Sequence, residues 1–153
     1  MSDTPALPQS RDQLIDRTER SWREWVAAVE GIPDDRLAEP AVGHWSVKDL
    51  IGHVAFWEDW VIGHGQRIIA GEPAPEEPDD VNQTQVAENK GATVAAQKRY
   101  RDEAHARLAA FLATVPEDQP TFGRLVEALE WETFAHYDEH TAQVREWREA
   151  HGL

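Results

Sequence analysis

Cysteine is absent from the 153-residue chain, which excludes disulfides, thiolate metal ligands and a cysteine nucleophile together. No run approaches the roughly 20 apolar residues of a membrane span. The polar stretch from Met1 to Arg20 likewise has no apolar segment of a secretory signal. A soluble, cytoplasmic protein with no membrane partner is expected. Positive charge is scarce: 15 basic side chains stand against 29 acidic ones, a formal net charge of −14. Such a field repels phosphate backbones, so nucleic acid is not expected as a partner, and the acidity reads as a device for solubility or for a saline habitat. Glycine-rich phosphate loops are missing, and no serine lies in an elbow or triad context, so covalent catalysis by the protein itself is not expected. Strand-like alternation of convincing length, internal repeats and low-complexity tails are also lacking.

What is present is helix punctuation. Ser10-Arg-Asp-Gln13 has the form of a capping box, with Ser10 accepting from the third amide and Gln13 reaching back. Behind it Leu14, Thr18, Ser21, Trp22, Trp25, Val26 and Val29 recur at three- and four-residue spacing until Gly31 and Pro33 stop the helix. Residues 32 to 45 read as an irregular connection. A second box, Ser46-Val-Lys-Asp49, opens a helix whose stripe runs Leu50, His53, Val54, Trp57, Trp60, Val61, His64 and Ile68 to Gly71. Pro73, Pro75, Pro78 and an acidic run then interrupt, with room for a short helical turn over Val81 to Asn89. Thr93 caps a third long helix, with Val94, Gln97, Tyr100, Arg101, Ala104, Leu108, Phe111 and Leu112 on one face, closed by Pro116. After a tight link at 116–120, a fourth helix is expected from Thr121 to about Glu149. The prediction is an all-α four-helix bundle forming a single domain over residues 1–153.

Two histidines one turn apart, His136 and His140, project from one face of the fourth helix and can converge on one ion. His53 is the inward histidine of the second. At about 1.5 Å per residue, His53 lies roughly 10 Å from the start of its helix, and the pair roughly 14 to 20 Å from the end of theirs. The three meet only if these helices run antiparallel. The short link makes helices three and four antiparallel, so helices two and three must run parallel, joined by the long proline-rich crossover.

Gly43-His-Trp-Ser-Val-Lys-Asp-Leu-Ile-Gly-His53-Val-Ala-Phe-Trp-Glu58, followed by His136-Tyr-Asp-Glu-His140-Thr-Ala-Gln143, resembles the DinB/YfiT-like superfamily of metalloenzymes over nearly the whole chain. The Trp-Ser-x-Lys-Asp opening and the Trp57-Glu58 ending are most similar to the branch that includes the DfsB and ClbS proteins. The resemblance implies a bundle of up-down-down-up topology, with His53, His136 and His140 as ligands of a divalent ion. It points to fold and metal, and not to a substrate.

Three neutral imidazoles leave an ion at least one open position, the mark of a catalytic rather than a closed structural site. An all-nitrogen donor set suits zinc, nickel, iron or copper, among which affinity order alone does not choose, and zinc or nickel is the expectation. Glu132, one turn before His136, is the candidate general base or imidazole partner, against the plainer reading of a solvated bundle edge. Trp57 and Trp60 are candidate pocket walls, against simple core. Asp49 is explained by its capping box, and His64 lies about 16 Å along the axis from His53, too far to share an ion. His44, His105 and His151 receive no role, and that of Gln143 is open. The expected function is metal-dependent chemistry on a small molecule, and the reactions that the resemblance implies are transfer or isomerisation dependent on a low-molecular-weight thiol, or hydrolytic detoxification of electrophilic compounds. The alternatives are a non-catalytic protein that sequesters a small molecule, and a structural bundle; a homodimer is compatible with any of them.

Overall fold

Ser10 and Ser46 start their helices as the capping pattern predicts. In the computed structural model, which describes residues 6–77 and 79–153, α1 spans Arg11–Val29 and the Ser10 hydroxyl accepts from the Gln13 amide at 3.2 Å. The Gln13 side chain reaches back one residue further than the pattern implies, accepting from the Gln9 amide at 2.9 Å. Pro78, part of the proline-rich run, lies outside the described residues, as do residues 1–5.

The expected irregular connection has more structure than its sequence advertises. A one-turn helix α2, Asp34–Leu37, is followed by antiparallel strands β1, Pro40–Val42, and β2, Trp45–Ser46. Gly43, at φ +60°, supplies the left-handed turn between them. Strands this short carry too little alternation to be recognised in sequence. The long helix α3, Val47–Ala70, then opens on a complete capping box, Ser46 accepting from Asp49 and Asp49 from Ser46, and closes on left-handed Gly71 at φ +73°. The crossover contains α4, Val81–Glu88, and Thr93 caps α5, Val94–Leu112.

The single helix expected from Thr121 to Glu149 is instead two. Helix α6 covers Thr121–Glu132, Thr133 departs from helical geometry at φ −125° and ψ −104°, and α7 covers Phe134–Ala150. No glycine or proline marks the interruption. The Thr133 hydroxyl donates to the Leu129 carbonyl at 2.6 Å, a side-chain bond back along the helix that competes with the regular ladder and bends it.

Contacts between elements give their directions. Asp59 pairs with Arg107 and Gly65 meets Phe111, while nearer the start of both helices Gly52 meets Gln97, so α3 and α5 run parallel. Arg17 pairs with Asp138 and Arg145 with Glu24, so α1 and α7 also run parallel. The pairs His53–His136 and Gly65–Leu125 set α3 antiparallel to α6 and α7. The parallel pair α3 and α5 lies close because of glycine: a Cβ on Gly65 would stand 2.7 Å from the Phe111 ring, and one on Gly52 2.6 Å from the Gln97 amide.

Two apolar clusters hold this frame. One gathers Trp25, Leu50, Ile51, Tyr137, Val144 and Trp147; the other gathers Leu14, Val61, Leu108, Phe122, Leu125 and Leu129. Each large apolar side chain so buried contributes on the order of 1.5–3 kcal/mol. Among the described residues no helix is long and apolar enough to cross a membrane.

Candidate functional site

Helix α3 carries His53 inward, and α7, running the other way, brings His136 and His140 to the same height. His136 Nε2 lies 2.9 Å from the Nε2 of His53 and 2.9 Å from that of His140. One ring nitrogen from each residue falls within 4.8 Å of the others, and all three side chains are buried. The break at Thr133 gives α7 its own phase, so the direction of this pair is set by α7 rather than by α6.

Burial disfavours the protonated rings, because an imidazolium there would lose its water without gaining a counter-ion. His53 is held down to about 3 by burial and then by His140, His136 down to about 2 by burial and its two neighbours, and His140 below its ordinary value by burial. At neutral pH the cluster is three uncharged imidazoles. The His140 Nδ1–H donates to the Gln143 side-chain oxygen at 2.7 Å, which leaves the Nε2 lone pair facing the other rings. Gln143 thereby gains a role that its sequence left open. Three such nitrogens, one fixed in tautomer by a partner outside the cluster, fit a divalent ion by their chemistry. Aromatic rings close the site: Trp45 lies edge-on to His53 at 4.9 Å between centroids, and Trp25 stands 6.3 Å from His140.

The other expected residues are dispersed. Glu132 is half-buried and sits across the Thr133 break from His136; its carboxyl is raised to about 7 by burial and then by Glu77. The expectation that it accepts from an imidazole is not met for His136, whose Nδ1 is buried without a partner. Trp57 is buried and its indole N–H donates to Asn82 at 2.7 Å, tying α3 to α4, while Trp60 lies between Trp57 and His64.

A second buried polar group escaped sequence reasoning. Glu58, 1% exposed, accepts from the Tyr137 hydroxyl, and His105 Nδ1 lies 3.3 Å from the same oxygen. His105 Nε2 is 2.6 Å from Glu19, and Trp22 stacks on its ring at 3.9 Å. Burial raises the Glu58 carboxyl; burial pulls His105 down, but Glu58 and Glu19 outweigh it and raise it. The signal was available: Glu58 follows Trp57 and precedes Val61 on the apolar phase of α3, where a charge needs partners.

Comparison with known proteins adds to this geometry. No curated protein matches the chain in sequence. An uncharacterised protein from Escherichia coli UTI89 is similar in structure, with a TM-score of 0.81 at 12% identity over 96% of this chain and 97% of its own. DfsB, described as a sibling lethal factor precursor, gives 0.75 at 16% identity, covering 93% of this chain and 96% of its own. The colibactin self-resistance protein ClbS, solved in complex with double-stranded DNA, gives 0.80 at 14% identity over 94% and 98%. That complex overturns the exclusion of nucleic acid drawn from net charge. A net charge of −14 sums the whole surface, whereas DNA is met by one local face. The sequence profile of the DinB superfamily matches residues 17–146, and the chain belongs to that superfamily.

Proposed function

We propose that this protein is a metal-dependent enzyme that modifies a small, electrophilic molecule at a divalent ion held by His53, His136 and His140. The observation that carries the reading is the convergence of three buried, uncharged imidazole nitrogens from two antiparallel helices, since such a set has no counter-ion and gains one kind of partner, a cation. Zinc or nickel suits the donors. A divalent ion there supplies Lewis acidity and a lowered pKa for a coordinated water or thiol.

This chain's own residues do the rest. Gln143 orients His140, and Trp45 and Trp25 keep bulk water from the rings. Glu132, with its carboxyl raised to about 7, is poised to take up or release a proton near neutrality. The chemistry is thiol-dependent transfer or hydrolytic detoxification, and the description of ClbS as a self-resistance protein supports the second. The test is elemental analysis of untagged protein beside His53→Ala and His136→Ala. Near-stoichiometric metal lost in both variants is expected; wild type that takes up no divalent ion refutes the reading.

A second reading follows from the ClbS complex, that the protein meets double-stranded DNA. Gel-shift titration with a mixed-sequence duplex at low salt decides it, and product analysis after incubation with an electrophile separates catalysis from sequestration.

A further inference from the structure

A cavity of about 560 Å³ opens beside the start of α3, outside the imidazole cluster, between the β1–β2 hairpin and α4. Its walls are the Trp45 indole and the apolar side chains of Pro40, Val86 and Ala87. Its charged groups run against the acidic balance of the whole chain. The chain has three lysines in all, and two of them, Lys48 and Lys90, line this one cavity, with His44 beside them. Lys48 is fixed in place: its ammonium donates to the carbonyls of Lys90 at 3.1 Å and Ala92 at 2.9 Å, two of its three possible bonds. Both acceptors are neutral, so its positive charge is not cancelled. Lys90 is exposed on the residues just after α4. The acidic group in the lining, Asp49, already accepts the Ser46 amide at 2.9 Å within the capping box.

We infer that this cavity binds a small organic anion, its flat apolar body against Trp45 and its carboxylate or equivalent group toward Lys48 and Lys90. Charge complementarity selects the class. In a chain of net charge −14, this cavity holds two ammonium groups with no carboxylate partner of their own among the described residues against one carboxylate engaged in a helix cap, so its local field attracts an anion. Concave shape, apolar walls and a few convergent polar groups are what small-molecule sites share. The volume accommodates a two-ring molecule, which the indole of Trp45 can face. The site stands whether or not the imidazoles bind metal, although Trp45 also lies edge-on to His53 and makes the two sites neighbours.

Calorimetric titration of the full chain with 2-naphthoate and with its neutral counterpart 2-naphthamide tests this. Chelator is present throughout, so that carboxylate coordination to a metal cannot contribute. Wild type is expected to bind the carboxylate at least fivefold more tightly than the amide, with a preference that shrinks as salt rises. Lys90→Glu, at an exposed position, should abolish the preference while leaving amide binding within about twofold, and Ala87→Trp should fill the cavity and remove both. Equal affinity for the two probes, no binding at millimolar concentration, an unchanged preference in Lys90→Glu, or retained binding in a folded Ala87→Trp protein each overturns the inference.

Discussion

Removing one imidazole should flatten the acid response of the metal-free protein by a calculable amount. In the folded chain His136 is 9% exposed and protonates only at about 2, against an ordinary 6.5. The unfolded chain therefore takes up a proton that the folded chain refuses, and stability is lost as pH falls below about 6.5. Each pH unit costs about 1.4 kcal/mol per such group once the unfolded imidazole is charged. Integrated from pH 6.5 to 4.5, His136 alone accounts for about 2 kcal/mol. His136→Leu deletes this contribution and keeps the site filled. Burial is the main cause of the shifts at His53 and His140, so those largely persist in the variant. The raised groups Glu58, His105 and Glu132 act in the opposite sense, but they are common to both proteins and cancel in the difference. Urea unfolding at pH 6.5, 5.5 and 4.5 with chelator should show wild type losing about 2 kcal/mol more than His136→Leu over that range. Parallel losses in the two proteins would refute the claim that the fold holds this ring neutral.

Two glycines of α3 should respond in opposite directions, as read by urea midpoints. Gly65→Ala drives a methyl into Phe111 and should cost about 1–3 kcal/mol, whereas Gly63→Ala meets nothing within 4 Å and should gain about 0.5–1 kcal/mol from helix propensity. Gln143→Leu removes the oxygen that accepts from His140 and should weaken zinc binding about 10- to 100-fold in a competition titration with a chelating dye. Glu132, raised to about 7 from 4.5, keeps its proton longer folded than unfolded, so its contribution is present at low pH and lost as pH rises from 4.5 to 7. Glu132→Gln should remove on the order of 1–2 kcal/mol of that decline, allowing for partial solvent screening, in the same unfolding series.

Helix starts and the imidazole cluster were legible because each is written locally or by simple rise. The Ser46–Asp49 box names its own boundary, and the axial heights of His53 and His140 follow from residue counts once the link and crossover fix direction. The break at Thr133 was not legible, because a threonine that bonds back to Leu129 has the same identity as one that does not. Nor was the β1–β2 hairpin, whose strands are too short for a period to show. Trp45 and the Glu58–His105–Tyr137 group were missed for another reason. Their partners lie on other helices, and only packing reveals which helix they face. The nucleic-acid error had a different origin: a sum over all charges was applied to a local question.

The parallel pairing of α1 with α7 bears on how the chain acquires its fold. Arg17 meets Asp138 and Glu24 meets Arg145, contacts whose partners are 121 residues apart in both cases. The other parallel pair, α3 with α5, is joined only through the long crossover. Neither pair can close as a local hairpin, so the loop entropy of distant contacts is met before they return any stabilisation. Folding should be slower than in an up-down bundle of equal length. During synthesis Trp25 of α1 meets Tyr137, Val144 and Trp147 only once α7 has left the ribosome, and that part of the α1 surface stays open meanwhile to chaperones or to other nascent chains.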